Sequence, residues 1–210
     1  MDYAYRYGDR SHLYLNATNR CANRCAFCIR YRAVEFGAVE LWGDHEPDFS
    51  MLKNAVLQHG NLEEFKEFIW CGYGEPTSNL DLIVEAAPWL KSRGASIRLN
   101  TNGHACLIHG RDVLPELGGA VDAVSVSLNA PSASRYLELC RPDPEAFPDP
   151  GKIRAVPEIV WNEMLDFLRR APKYFSLVQA SVVGFALSSA EIEQSRELAF
   201  SLGIGKFRVR

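Results

Sequence analysis

The sequence predicts an α/β fold of parallel strands, either an open barrel or a doubly wound sheet. Three observations point there. Six short apolar segments of strand character alternate with helical ones, which is the pattern of parallel β/α units. The chain has 210 residues, short of the roughly 250 that eight units and a closed barrel take. Its residues are 47% hydrophobic and 23% charged, enough apolar material for one buried core. A single domain over residues 1–210 is expected.

The elements follow in order. His12 to Ala17 alternates as a strand and runs into polar Thr18-Asn19-Arg20. Phe49 to His59 carries Met51, Leu52, Ala55 and Val56 at helical spacing. Glu67 to Cys71 is a short apolar strand cut off by Gly72, and the acidic residues Glu63, Glu64 and Glu67 read as a solvated helix end. Leu80 to Arg93 is helical, with Gly94 as its cap. Ser96 to Leu99 is a strand leading into the turn Asn100-Thr101-Asn102-Gly103. Val121 to Leu128 is a strand, and Val156 to Ala171 is a helix. Before that helix, Arg141 to Pro157 holds five of the 11 prolines and reads as an extended surface loop. Phe175 to Gly184 is a strand. Ser189 to Leu202 is a helix capped by Ser189, and Lys206 to Arg210 closes as a strand.

In either architecture, sites form at the C-terminal ends of the strands. The unusual residues fall there. Cys21, Cys25 and Cys28 follow the first strand, Gly72-Tyr73-Gly74-Glu75-Pro76 the second and Asn100 to Gly103 the third, while Ser127 and Asn129 end the fourth. All are expected to meet at one rim. Trp42 and Tyr73 are amphipathic aromatics for its mouth, and Trp70 packs in the core.

Composition excludes several classes. Mean hydropathy is −0.14, and no apolar run approaches the roughly 18 residues of a membrane helix. Met1 to Arg6 lacks the basic-then-apolar layout of a secretory leader. A net charge of −3 and a pI near 6.0 argue against a general nucleic-acid or membrane-surface binder. A cytoplasmic protein is expected. Such a protein keeps its thiols reduced, so its six cysteines are not a disulfide framework. Cys71, Cys106 and Cys140 stand apart and read as buried small apolar residues. His104 and His109, just past the third-strand turn, read as surface imidazoles.

The other three cysteines are spaced Cys21-x3-Cys25-x2-Cys28. Three soft thiolates suit an iron–sulfur cluster or zinc. Structural zinc usually takes four protein ligands, often as two separated pairs, and no second pair exists here. Three cysteines on a [4Fe–4S] cluster would leave one iron open to an outside ligand.

Cys21-Ala22-Asn23-Arg24-Cys25-Ala26-Phe27-Cys28 resembles the CxxxCxφC motif of the radical S-adenosylmethionine (radical SAM) superfamily, with Phe27 at the aromatic place. Asn16 to Arg20 is also similar to that family. Gly72-Tyr73-Gly74-Glu75-Pro76 resembles its second-strand segment, which binds the methionine amino group of SAM; the sequence departs from adjacent glycines, so Tyr73 is expected in or beside the SAM pocket. Asn100-Thr101-Asn102-Gly103 resembles the turn of the activase-like branch, Ser127 and Asn129 the fourth-strand contacts to ribose and carboxylate, and Val182-Val183-Gly184 the segment packing on adenine. The resemblance covers nearly the whole chain. It implies a partial (β/α)6 TIM-like barrel, a radical SAM core with parallel strands. The cluster ligands would be Cys21, Cys25 and Cys28. The SAM-binding residues would be Phe27, Gly72, Tyr73, Gly74, Glu75, Pro76, Asn100, Thr101, Asn102, Ser127, Asn129 and Val183.

The chemistry implied is one-electron reduction of cluster-bound SAM to a 5′-deoxyadenosyl radical, which abstracts hydrogen from a substrate. The protein's share is to orient the cofactor and exclude side reactions. The chain is most similar to the small radical SAM proteins linked with TatD-type nucleases, which makes such a nuclease an expected functional partner. A 7-carboxy-7-deazaguanine synthase-like or glycyl-radical-activase-like enzyme is the alternative within the class. A non-catalytic iron–sulfur electron carrier or sensor is the alternative outside it. The substrate is unidentified and could be a small molecule, a peptide or a nucleic acid. Flavodoxin or ferredoxin is the expected reductant, the cluster is expected to be oxygen-sensitive, no membrane is involved, and the protein is expected as a monomer or homodimer.

Overall fold

The computed structural model describes residues 1–31 and 39–210. Contacts gather the chain into two compact units. The first comprises Met1–Cys21, Ile29–Asn100 and Glu116–Ala123, and the second Ala22–Cys28, Thr101–Pro115 and Val124–Arg210.

The first unit is built on β1 (Ala4–Tyr5), β2 (His12–Leu15), β3 (Glu67–Trp70) and β4 (Ser96–Thr101). β1 pairs antiparallel with β2, and β2, β3 and β4 run parallel. Phe68, Ile69 and Trp70 are all fully buried, as expected for a parallel strand covered on both faces. α1 (Phe49–Leu57) starts where the Asp48 carboxylate accepts the Met51 N–H at 2.8 Å, satisfying a donor that the first helical turn leaves without a partner. α2 (Leu80–Lys91) follows β3 and buries Leu82, Ile83, Ala86 and Leu90.

The second unit contains α3 (Ala105–His109), β5 (Ala123–Ser127), α5 (Ala133–Cys140), α6 (Pro150–Ala155), α7 (Glu158–Arg170), β6 (Leu177–Val182), α8 (Ser189–Ser201) and β7 (Lys206–Val209). α4 (Leu114–Ala120) runs between the two units in sequence. β6 and β7 are parallel, Gln179 opposite Lys206 and Val182 opposite Val209. α7 places Val160, Met164, Phe167 and Leu168 on its buried face, the spacing of an amphipathic helix. Within the first unit the strands pair in the order β1-β2-β3-β4, and within the second β6 pairs with β7, so the expected α/β class with mostly parallel strands holds.

Several expectations are corrected. There are seven strands among the described residues rather than six, because the N-terminal Ala4–Tyr5 adds an antiparallel edge too short to register as periodicity. Asn100 and Thr101 belong to β4, not to a turn; the sharp change comes at Gly103, which has φ +82°. The proline-rich stretch contains α6, started by Pro150 at its first position, where a missing N–H costs nothing. The α8 cap is Ser188 rather than Ser189, in a reciprocal capping box with Glu191. Ser92, not Gly94, caps α2. Glu67 is not part of a solvated helix end. It lies on β3, where Arg98 of β4 meets it at 2.8 Å and His12 of β2 at 3.9 Å. No helix among the described residues is long and apolar enough to cross a membrane.

Candidate functional site

In the first unit, the chain leaving β2 runs against the segment leaving β3. Glu75 N–H donates to the Arg20 carbonyl at 2.7 Å, directly before Cys21. A Cβ on Gly74 would lie 2.2 Å from the Thr18 carbonyl oxygen and 2.6 Å from that of Arg20. A Cβ on Gly72 would lie 1.9 Å from Asn16 Oδ1. The resemblance assigns these glycines to the SAM site. The structure gives a nearer reason: the Asn16 side chain at Gly72 and the Thr18 and Arg20 carbonyls at Gly74 already occupy the space. Gly72 and Gly74 therefore fix the path of the chain into Cys21.

That path has a second clamp, which the sequence did not reveal. Arg20 forks onto Glu46 with Nε at 2.8 Å and Nη2 at 2.7 Å, and Nη2 also donates to the Ser78 carbonyl at 2.8 Å. Thr18 Oγ1 donates to the same Glu46 carboxylate. Planar two-point pairing fixes orientation as well as charge. Glu46 sits in a stretch without periodicity, so only tertiary structure exposes its role.

Glu75 is 3% exposed. Its Oε1 accepts from Thr77 N–H at 3.2 Å and Thr77 Oγ1 at 2.7 Å, capping the 3₁₀ turn Pro76–Asn79. Pro76 takes the first position of that turn and is buried. Tyr73 is also buried, packed with Tyr5 and Leu41, and its ring stands 5.2 Å from that of the exposed Trp42. Trp70 is fully buried, as expected of a core residue. Asn100 is half-buried on β4.

In the second unit, the cysteine loop lies against the end of α5. Arg24 N–H donates to the Cys140 and Arg141 carbonyls at 3.0 and 3.1 Å, and Ala26 N–H to Leu139 O at 2.8 Å. Asp143 N–H returns to Ala22 O at 2.8 Å. The Arg24 guanidinium meets Asp143 at 2.6 Å. Cys28 N–H closes a turn on Cys25 O at 3.0 Å. Cys21, Cys25, Phe27 and Cys28 are half-buried, and no cysteine is paired in a disulfide. Among the described residues, no three His, Cys, Asp or Glu side chains are gathered into a group that could hold a metal ion.

The turn after β4 folds on itself. Gly103 N–H donates to Thr101 Oγ1 at 3.1 Å, and His104 N–H to Asn102 Oδ1 at 2.9 Å. Thr101 and Asn102 are buried. Ser127 ends β5 and accepts from Arg210 Nη2 at 2.9 Å. Asn129 is buried in the left-handed region at φ 59°, a conformation that asparagine tolerates better than most residues. Its N–H donates to Ser181 O at 3.2 Å, while its buried Oδ1 has no hydrogen-bond partner. A buried acceptor left unmade is costly, so Asn129 is a natural place for a ligand donor. Val183 is half-buried just past β6.

His104 is not a surface imidazole. It is wholly buried, and burial pushes its pKa down to about 3, so the ring is neutral. Cys140 is buried as expected, but Cys71 and Cys106 are only half-buried, so the apolar-filler account holds for one of the three.

A family model described as the radical SAM superfamily matches residues 15–199. The tungsten-containing aldehyde ferredoxin oxidoreductase cofactor-modifying protein of Pyrococcus furiosus is 29% identical over 134 residues, which are 61% of this chain and 33% of that protein. SuiB of Streptococcus suis, solved bound to S-adenosylmethionine, superposes with a TM-score of 0.59 at 13% identity, covering 93% of this chain and 38% of SuiB. A second SuiB structure, bound to precursor peptide SuiA, gives a TM-score of 0.60. The FeFe-hydrogenase maturase HydG from Carboxydothermus hydrogenoformans gives 0.60 at 15% identity, covering 93% of this chain and 42% of HydG. At such identities the likeness establishes the fold. The chain spans about a third of the length of that curated relative.

Proposed function

Since the chain belongs to the radical SAM superfamily, we propose that Cys21, Cys25 and Cys28 hold a [4Fe–4S] cluster and that the protein cleaves SAM reductively to act on a substrate. The cysteine motif carries this reading. The donor set fits the cofactor: three soft thiols within one short loop, none committed to a disulfide. Thiolate ligation would complete the loop's closure, since metal binding commonly couples to local ordering. When bound, the cluster would supply the electron for reductive cleavage of SAM, the chemistry that would remove hydrogen from a substrate.

The chain's own residues have distinct shares. Gly72, Gly74 and Glu46 set the approach to Cys21. Phe27, at the aromatic place of the motif, would contact the bound cofactor. The buried Glu75 carboxylate, which caps the turn through Thr77, would pair with the methionine ammonium of SAM. Tyr73 and Pro76 hold that segment in place. Asn129 Oδ1, without a protein partner, accepts from the ribose or amino group of SAM, and Ser127 assists. Asn100, Thr101, Asn102 and Val183 line the remainder of the SAM site.

SuiB is a relative solved with its precursor peptide, so a peptide is the substrate class favoured for this chain. Flavodoxin or ferredoxin serves as reductant, and a TatD-type nuclease as functional partner, in the cytoplasm. The test is anaerobic: with dithionite, the reconstituted protein should release 5′-deoxyadenosine from SAM, and Cys25→Ala should release none. Cleavage retained by Cys25→Ala would overturn the ligand assignment.

A further inference from the structure

We propose that Tyr136 and His104 are positioning residues for the cysteine loop, tying Asn23 to the turn after β4 through a buried hydrogen-bond chain. This deepens the cluster reading above and rests on it for its functional meaning. Asn23 lies between the first two cysteines of the motif. Its Nδ2 donates to Tyr136 Oη at 3.1 Å, and Tyr136 Oη stands 3.0 Å from His104 Nε2. Asn23 is 4% exposed, and Tyr136 and His104 are 0% exposed.

Direction follows from the donor inventory. The amide N–H can only donate, so the phenol accepts from Asn23. A neutral imidazole has one bare nitrogen, and in the tautomer that leaves Nε2 bare the phenol donates a hydrogen bond to it. The hydroxyl thus links the loop amide to the imidazole inside the core, where hydrogen bonds are strengthened, while His104 Nδ1 has no hydrogen-bond partner. The far end is fixed as well: His104 opens α3, and its N–H is held by Asn102. Around it, the Tyr136 and Phe147 rings stand edge-on at 6.0 Å, and Trp161 packs on Tyr136 at 5.4 Å. The chain is thus braced by packing at Tyr136 and His104, and Asn23 is its member in the cysteine loop.

The loop itself reports the effect. Arg24 and Ala26 donate their amides to the end of α5, the helix that carries Tyr136. Loss of the Asn23 contact should free these amides first.

Tyr136→Phe removes the hydroxyl and keeps the ring; Asn23→Ala removes the same bond from the loop side. Amide exchange is read by NMR on metal-free, reduced protein. Each variant should speed exchange at Arg24 and Ala26 roughly tenfold, with α7 amides unchanged. The double variant should add little to either single change, because both cut one link. The reconstituted Tyr136→Phe protein should also show a shifted EPR signal from the reduced cluster, which lost packing alone would not produce. Unchanged exchange at Arg24 and Ala26, fully additive effects, or a general rise that includes α7 would each overturn the proposal. If wild-type protein binds no iron, the cluster reading fails while the exchange result still decides the positioning role.

Discussion

Alanine at Gly74 isolates the claim that the glycines of the second-strand segment shape the chain rather than vacate a pocket. The added Cβ would sit 2.2 Å from Thr18 O and 2.6 Å from Arg20 O. Relaxed carbon–oxygen contacts lie near 3.3 Å or beyond, so the chain before Cys21 must retreat by about 1 Å. Neither obstacle can rotate aside, because both are backbone carbonyls and one already accepts the Glu75 N–H. Overpacking costs roughly 1–3 kcal/mol, and the rigid neighbours place this change near the top, about 3 kcal/mol. For a chain of this length that lowers the melting temperature by about 6–12 °C. Gly72→Ala meets a side-chain atom instead, Asn16 Oδ1. In an Asn16→Ala background it should therefore cost less than about 1 kcal/mol, whereas no side-chain deletion should relieve Gly74→Ala. Circular-dichroism melts of the metal-free, reduced protein read both. A Gly74→Ala melt within about 2 °C of wild type would refute the reasoning, as would a Gly72→Ala cost that persists without the Asn16 amide.

Glu75→Gln keeps an oxygen to accept from Thr77 but discards the charge. It should leave the melt almost unchanged while weakening SAM binding at least roughly tenfold by calorimetry; equal binding by wild type and variant would reduce Glu75 to a turn cap. The fold should also lose stability in acid through His104. Its folded pKa, about 3, lies below the ordinary value of 6.5, so the unfolded chain binds the extra proton. The contribution is therefore complete above pH 6.5 and lost as pH falls from 6.5 toward 3, by up to about 1.4 kcal/mol per pH unit. His104→Gln should flatten the curve between pH 6.5 and 4.5 in urea titrations; parallel curves would count against a buried neutral imidazole.

Much of this was readable without coordinates. The alternation of strands and helices set the class, because parallel strands leave continuous apolar runs such as Phe68 to Trp70. The cysteine spacing marked the candidate cluster loop, since ligand identity and interval are chemical and local. What escaped was tertiary. His104 follows a polar turn, and nothing in its neighbours shows that Tyr136 and Phe147 pack on it, with Trp161 behind Tyr136. Glu46 is one acid in an aperiodic stretch, yet it anchors Arg20 and Thr18. α5 did leave a signal, with Ser132 as its cap and Tyr136, Leu139 and Cys140 on its buried face; its importance lies in the carbonyls it offers the cysteine loop. Gly72 and Gly74 stood out in the sequence, but the Asn16, Thr18 and Arg20 atoms that crowd them are a tertiary feature.

The central claim is that the three-cysteine loop builds a cluster with an iron open to SAM. Anaerobic reconstitution followed by EPR of the reduced protein tests it directly. The expected result is about four iron and four sulfide per chain, with a signal that SAM alters. Zinc at stoichiometry, or a cluster whose signal SAM leaves untouched, would contradict it.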